Sequence, residues 1–173
     1  QVIAVAFVVA GFAFKVSAVP FHTWAPDTYE GAPTPVTAFF SVLSKASGFV
    51  ALILMLFLTF PLADAVYGPL IWVLAALTMT IGNLVALRQT NIVRMLAYSS
   101  VSQGGFILMP LAFVNTNGAG ESVLKAVVVY LIIYAFTNLG AFAVVIAVAR
   151  STRSGEISSY AGLIKYAPGM AVL

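Results

Sequence analysis

Four windows of this 173-residue chain, residues 46–63, 65–87, 95–120 and 126–149, contain no Asp, Glu, Lys or Arg. Each is close to or above the ~20 residues that cross about 30 Å of hydrocarbon at 1.5 Å per residue. Inside hydrocarbon no water satisfies the backbone, so windows of this length predict transmembrane helices. The composition agrees: 62% of residues are hydrophobic and only 8% are charged, with a mean hydropathy of +1.07. A soluble domain carries about 25% charged residues, and disordered chains are charged and poor in apolar residues, so both classes are excluded. The fold class is an all-α integral membrane protein, a polytopic helix bundle.

Two lysines, Lys15 and Lys45, lie inside stretches that otherwise read as hydrocarbon-buried. A charge near the bilayer centre costs at least a few kcal/mol, and the usual reason for one is an ion or proton pathway. Pro20 and Pro26 interrupt the first stretch, since each proline removes a donor and clashes with the preceding turn. A broken helix beside a buried charge is a recurring feature of membrane transport sites.

Other chemistries are poorly supplied. The chain has no cysteine and one histidine, His22, which excludes disulfides, thiolate zinc sites, cysteine-ligated iron–sulfur clusters and a bis-histidine haem. Neither a Gly-rich dinucleotide fingerprint nor a P-loop is present. The net charge of +3 lies at loop positions and does not point to nucleic acid. The chain starts on QVIAVAF and stops at APGMAVL as a new apolar run begins, which reads as an internal piece of a longer polytopic protein.

Along the chain, a first helix is expected over about residues 2–18, with a second half-helix over 23–31 (TWAPDTYEG). The two halves together span about one bilayer, placing the break and Lys15 near its middle. A helix from about Thr34 to Phe60 follows, with Lys45 near mid-depth and Pro61 and Asp64 at the turn. Helices over about Pro69–Leu87, Ile92–Phe113 and Ser122–Ala149 come next, separated by QTNIVR and by NTNGAGE. Glu121 and Lys125 are spaced i,i+4 in the favourable order. Residues 151–166 form a surface-lying connector into a further helix. The expectation is five transmembrane helices, the first discontinuous, plus the start of a sixth, with residues 1–173 forming part of one domain.

Arg88 and Arg94 share one connection and Arg150 and Arg153 share another two helices later, so both lie on one side. That side is cytoplasmic, or its topological equivalent, by the positive-inside rule. Trp24, Tyr29, Tyr67 and Trp72 fall near the expected interfaces, where aromatic belts form.

Each candidate also has a plainer reading. Lys15 and Lys45 are read as relay groups rather than snorkelling side chains. A lysine stem reaches only about four helical residues along the axis, and Lys45 lies too deep. Desolvation disfavours a charged amine, so such a group can take up and release protons. Pro20 and Pro26 are either packing kinks or a hydrated break, and the adjacent lysine favours the break. His22 is either a relay member or a structural hydrogen-bonding residue. Asp27 and Glu30 either cap or anchor the cytoplasmic end of the half-helix or feed protons inward. Ser99, Ser100, Ser102 and Gln103, followed by Gly104 and Gly105, either permit tight helix packing or line water. Tyr134 and Asn138 sit on neighbouring turns of the Ser122–Ala149 helix.

The segments FKVSAVPFHTWAPDTYEGAPTPVTAFF, NLVALRQTNIVRMLAYSSVSQGGFILMPLA and YLIIYAFTNLGAFAVV resemble the antiporter-like membrane subunits of respiratory complex I. Within that group they are most similar to the subunit N (chain 2) family of NADH-quinone oxidoreductases. The resemblance covers nearly the whole chain and would place its helices as the seventh to eleventh of fourteen. It implies a protonatable lysine on the broken helix, matched by Lys15, and a second lysine that continues the path, matched by Lys45. A glutamate and a further lysine of the family would lie on helices outside this sequence. The larger relatives and the Mrp antiporters tend to carry histidine at the position of Ser41, and a His-x-x-x-Lys pair where this chain has Tyr134 and Asn138. These departures favour subunit N and leave Tyr134, Asn138 and water to line the relay.

The resemblance further implies a proton-translocating subunit with no redox centre of its own. NADH, FMN, iron–sulfur clusters and quinone would belong to the parent complex. The partners would be the other membrane-arm subunits, lipid, protons and water, and the location the bacterial inner membrane. The competing readings are an Mrp-type cation/proton antiporter subunit and a structural membrane scaffold.

Overall fold

The computed structural model describes residues 2–60, 63–114 and 118–172. The chain forms helices α1 (Val2–Lys15), α2 (Trp24–Gly31), α3 (Thr34–Thr59), α4 (Asp64–Ala86), α5 (Ile92–Leu111) and α6 (Gly120–Thr152). A 3-10 turn (Ile157–Tyr160) leads to two short helices, α7 (Leu163–Tyr166) and α8 (Pro168–Val172). No β-sheet occurs among the described residues, and α3, α4 and α6 are each long and apolar enough to cross a membrane. The 20 residues of α5 carry the polar run Tyr98–Gln103, which dilutes its hydropathy.

The first helix is discontinuous. It ends at Lys15 rather than near residue 18 because Ser17 adopts a left-handed conformation, φ 62°, which a right-handed helix does not continue through. Residues 16–23 turn the chain, and α2 restarts it at Trp24. Pro26 falls within the first turn of α2, where a missing N–H breaks no helical bond. Pro20 lies inside the break itself.

The core is shared by α1, α3, α4, α5 and the start of α6, with Val5, Val9, Ala13, Phe49, Leu52, Ile71, Ile107, Leu111, Val123 and Val127 buried together. The closest helix pair is α4 with α5. A Cβ built at Gly82 would lie 2.8 Å from the Ser102 backbone nitrogen, and one at Gly105 would lie 2.8 Å from the Met79 nitrogen. Small residues thus bring the two backbones together, as membrane helix interfaces require.

Several expected boundaries move. The fourth helix begins at Asp64, and Pro69 lies inside it, because transmembrane helices tolerate proline where neighbours cover the freed carbonyl. The sixth helix runs from Gly120 to Thr152, past Ala149. Pro61 and Asn115–Asn117 lie outside the described residues. Tyr29 and Tyr67 are buried against protein, whereas Trp72 is about half exposed. Glu121 and Lys125 do pair, at 2.6 Å.

The connector after α6 folds back onto the start of α5. Ile92 N donates to Gly155 O and Ile157 N to Thr90 O, both at 2.8 Å, around an antiparallel bridge between Asn91 and Glu156. Asn91 also caps α5, its Oδ1 accepting from Val93 N and Arg94 N. A side chain at position 82 should therefore disturb the bundle. Gly82→Ala is expected to destabilise the full-length protein by about 1–3 kcal/mol, since backbone must move to admit the methyl. Gly140→Ala, where a Cβ meets nothing within 4 Å, should leave it unchanged, as thermal melting in detergent would record.

Candidate functional site

The break leaves backbone groups that hydrocarbon would not satisfy, and side chains from elsewhere satisfy several of them. Thr78, buried on α4, accepts Val19 N–H at 2.9 Å through Oγ1 and donates to Leu74 O. The Trp24 indole N–H caps Phe14 O at 3.0 Å. Ala18 N returns to Ala13 O at 2.7 Å. The far end of α2 is held by charge: Arg94 Nη1 lies 2.8 Å from Asp27 Oδ1 and 2.7 Å from Glu30 Oε2.

Lys15 ends α1, a position where the helix dipole favours a cation, and its Nζ donates to Ser44 Oγ at 3.1 Å. Gly48 makes the approach of α1 to α3 possible, since a Cβ there would meet Lys15 Cγ at 3.1 Å and Val16 Cγ1 at 3.0 Å. Lys45 follows directly on a π-helical turn, Phe40–Ser44, a feature that often marks functional sites within helices. Both lysines line one cavity of about 320 Å³, together with Ser17, Thr28, Tyr29 and Ser44.

Lys45 is 3% exposed. Its ammonium hydrogen-bonds Ser100 twice, to the backbone carbonyl and to Oγ, the latter at 2.8 Å. None of the ion pairs among the described residues involves it. Gly104 leaves room beside the amine, as a Cβ there would lie 3.6 Å from Nζ. Ser100 Oγ also bonds Tyr134 Oη at 2.8 Å. Tyr134 donates to Ser41 O at 3.1 Å, and Asn138 Nδ2 donates to Ser41 Oγ at 2.6 Å. Hydroxyls and one amide therefore surround the buried amine.

A second cavity, of about 450 Å³, opens between α5 and α6 and is lined by Ser99, Gln103, Tyr130, Tyr134, Thr137 and Asn138. Tyr130 donates to Gln103 Oε1 across it. Ser102 does not take part. It packs against Gly82, and its hydroxyl is buried without a hydrogen-bond partner among the described residues. The polar run of α5 thus serves both purposes, packing at Ser102 and Gly105 and cavity lining at Ser99 and Gln103. His22 lines neither of these two cavities; its ring lies edge-on to Tyr98, centroids 6.2 Å apart.

Sequence reasoning named Ser100 only within the polar run of α5 and Tyr29 only as an interfacial aromatic, and it did not single out Ser44 or Thr78. For Ser100 a signal was present. It falls in phase with the buried stripe Ala97, Val101, Gly104, Ile107, Leu108 and Leu111, so its hydroxyl was bound to face the bundle.

Residues 1–173 match the NADH:quinone oxidoreductase/Mrp antiporter transmembrane family along their whole length. The chain belongs to that family. This family member is 51% identical over 170 residues to NADH-quinone oxidoreductase subunit N of Heliobacterium modesticaldum, an alignment covering 98% of this chain and 35% of the relative. It is 50% identical to NAD(P)H-quinone oxidoreductase subunit 2 of Thermosynechococcus vestitus, covering 96% and 32%. The chain spans about a third of the length of these curated relatives. Among solved structures, it resembles a chain of the archaeal membrane-bound sulfane sulfur reductase, with TM-score 0.83 and 30% identity over 94% of this chain and 32% of that one. It likewise resembles a chain of the Mrp complex from Dietzia, with TM-score 0.83 and 27% identity over 98% and 31%. Respiratory complex I from Thermus thermophilus gives TM-score 0.72 and 28% identity over 99% and 36%.

The support of the break by Thr78 is open to test. Thr78→Val keeps the shape but strands the buried Val19 N–H, so it should cost about 1–3 kcal/mol. Thr78→Ser retains the acceptor and should melt close to the wild-type protein in detergent.

Proposed function

We propose that this chain is part of a proton-translocating membrane subunit of a NADH-quinone oxidoreductase of the complex I type. The observation that carries the reading is the pair of lysines lining one cavity, with the deeper amine buried among hydroxyls and no carboxylate. An amine so placed gains or loses a proton when a nearby charge changes, because no counter-ion pins its charged state. Lys15, at the mouth of the helix break, exchanges protons with Lys45 through water and the intervening hydroxyls. The names of the relatives that are about half identical support the complex I setting.

In this reading residues 1–173 form part of one proton-translocation domain. The α1–α2 pair makes a broken first crossing, α3 to α6 make four more, and α7 and α8 begin a sixth. NADH, FMN, iron–sulfur clusters and quinone are handled by other subunits of the complex. The chain's neighbours are membrane-arm subunits and lipid, and the location is the bacterial inner membrane, with Arg88, Arg94, Arg150 and Arg153 on the cytoplasmic side. The likeness to the Dietzia Mrp complex supports a second reading, a cation/proton antiporter subunit. Ser41 and Asn138 weigh against it.

The test uses the full-length subunit in its assembled complex. Lys45→Met fills similar volume without a charge, so assembly should persist while proton pumping and coupled quinone reduction fall roughly tenfold or more. Electron transfer to an artificial acceptor upstream should be retained. Lys15→Arg should also impair pumping, because guanidinium keeps its proton. Wild-type pumping and turnover in both variants would overturn the reading, and sodium-dependent proton movement without quinone reduction would favour the antiporter.

A further inference from the structure

The hydrogen bonds around Ser100 have only one consistent arrangement of donors. Tyr134 has a single O–H, and it goes to Ser41 O, which only accepts. In its bond with Ser100 (2.8 Å) Tyr134 must then be the acceptor and Ser100 Oγ the donor. Ser100 has now used its own hydrogen, so it accepts from Lys45 Nζ through a lone pair. The Ser41 side chain is also committed, accepting from Asn138 at 2.6 Å and donating to Ala38 O at 2.8 Å. The result is a directed chain, Lys45 to Ser100 to Tyr134 to the Ser41 carbonyl.

The two ends of this chain face different spaces. Lys45 lines the cavity at the helix break, whereas Tyr134 lines the cavity between α5 and α6. Ser100, 1% exposed, lines neither and fills the wall between them. A carbonyl oxygen does not carry a proton onward, so the chain as it stands is closed at Ser41. A turn of the Tyr134 O–H about its C–O bond, away from Ser41 and into the α5–α6 cavity, opens it without moving any helix.

We propose that the Tyr134 hydroxyl is a rotating gate that passes protons through Ser100 between the Lys45 cavity and the α5–α6 cavity. The proposal rests on Lys45 being a proton carrier, as argued above. In the open position the transfer balances as follows. One N–H bond of the Lys45 ammonium breaks and its proton adds to Ser100 Oγ. The hydrogen that Ser100 held passes to Tyr134 Oη, and the hydrogen that Tyr134 held passes to a water in the α5–α6 cavity. Lys45 is left as a neutral amine and the water as hydronium, with no electron transferred and both hydroxyls intact. Rotation of the two hydroxyls back to their starting partners resets the chain.

The experiment compares Lys45→Met, Tyr134→Phe, Ser100→Ala and Ser100→Thr in the full-length subunit, within the assembled complex in sealed vesicles. Proton uptake, NADH-quinone turnover and the amount of assembled complex are read together. Tyr134→Phe and Ser100→Ala should each lower pumping roughly tenfold, in the range lost with a positioned proton-transfer group. Ser100→Thr, which restores a hydroxyl, should recover most of it, a rescue that a packing role would not give. Normal pumping in both Tyr134→Phe and Ser100→Ala overturns the gate. If Lys45→Met is defective in that same set, the gate alone falls, whereas normal pumping in Lys45→Met as well removes the Lys45 carrier with it. Should Tyr134→Phe fail to assemble, the serine pair decides: loss in Ser100→Ala alone supports the gate, and equal loss in Ser100→Thr overturns it.

Discussion

Burying an amine without a carboxylate sets the terms for the rest of this bundle. An isolated ammonium in a low-dielectric interior is penalised by several kcal/mol, and pairing it with an acid would remove the penalty by fixing its charge. Lys45 is given neutral oxygens instead: the carbonyl and hydroxyl of Ser100, with Tyr134 behind them. To deliver those oxygens α5 must lie close to α3, and Gly104 supplies the clearance beside Nζ. Neutral ligands stabilise a charged amine only moderately, and none of the ion pairs among the described residues reaches Lys45.

The broken helix follows from the same logic. A continuous α1 would bury its backbone dipoles in its own ladder and leave no polar surface beside Lys15. The left-handed Ser17 ends that ladder, and the exposed groups are then shared out to Thr78, Trp24 and the turn itself. α2, only 8 residues long, would not hold its place by propensity alone. Arg94 grips its acidic end, and Thr37 Oγ1 of α3 donates to the Tyr29 carbonyl at 2.9 Å. A surface ion pair usually contributes little, but here one guanidinium engages two carboxylates of a single short helix, so it acts on orientation.

The sequence made legible those features that a bilayer penalises. Lys15, Lys45 and the Pro20 break stand out because hydrocarbon tolerates each of them only for a reason. Spacing put Tyr134 and Asn138 on neighbouring turns and the family resemblance gave them a role, and they do fall on one buried stripe of α6 with Val127, Phe142 and Val145. Hydroxyls were harder to read. Thr80 and Thr137 satisfy themselves on carbonyls of their own helix, so a serine or threonine in such a segment does not announce its partner. Ser100 and Thr78, which reach across the bundle, look the same on the page as residues that do not. The π turn before Lys45 left no residue-type signature, and Pro69 pointed to a helix start that neighbouring helices overrode. His22 stood out as the lone imidazole, and the structure packs its ring edge-on to Tyr98.

The short pairing between residues 90–92 and 155–157 has a mechanical meaning. It ties the connector that leaves α6 to the start of α5 through two backbone bonds of 2.8 Å. A piston stroke of α6 along α5 would pull on that latch. A hydroxyl that swivels in place would leave it untouched.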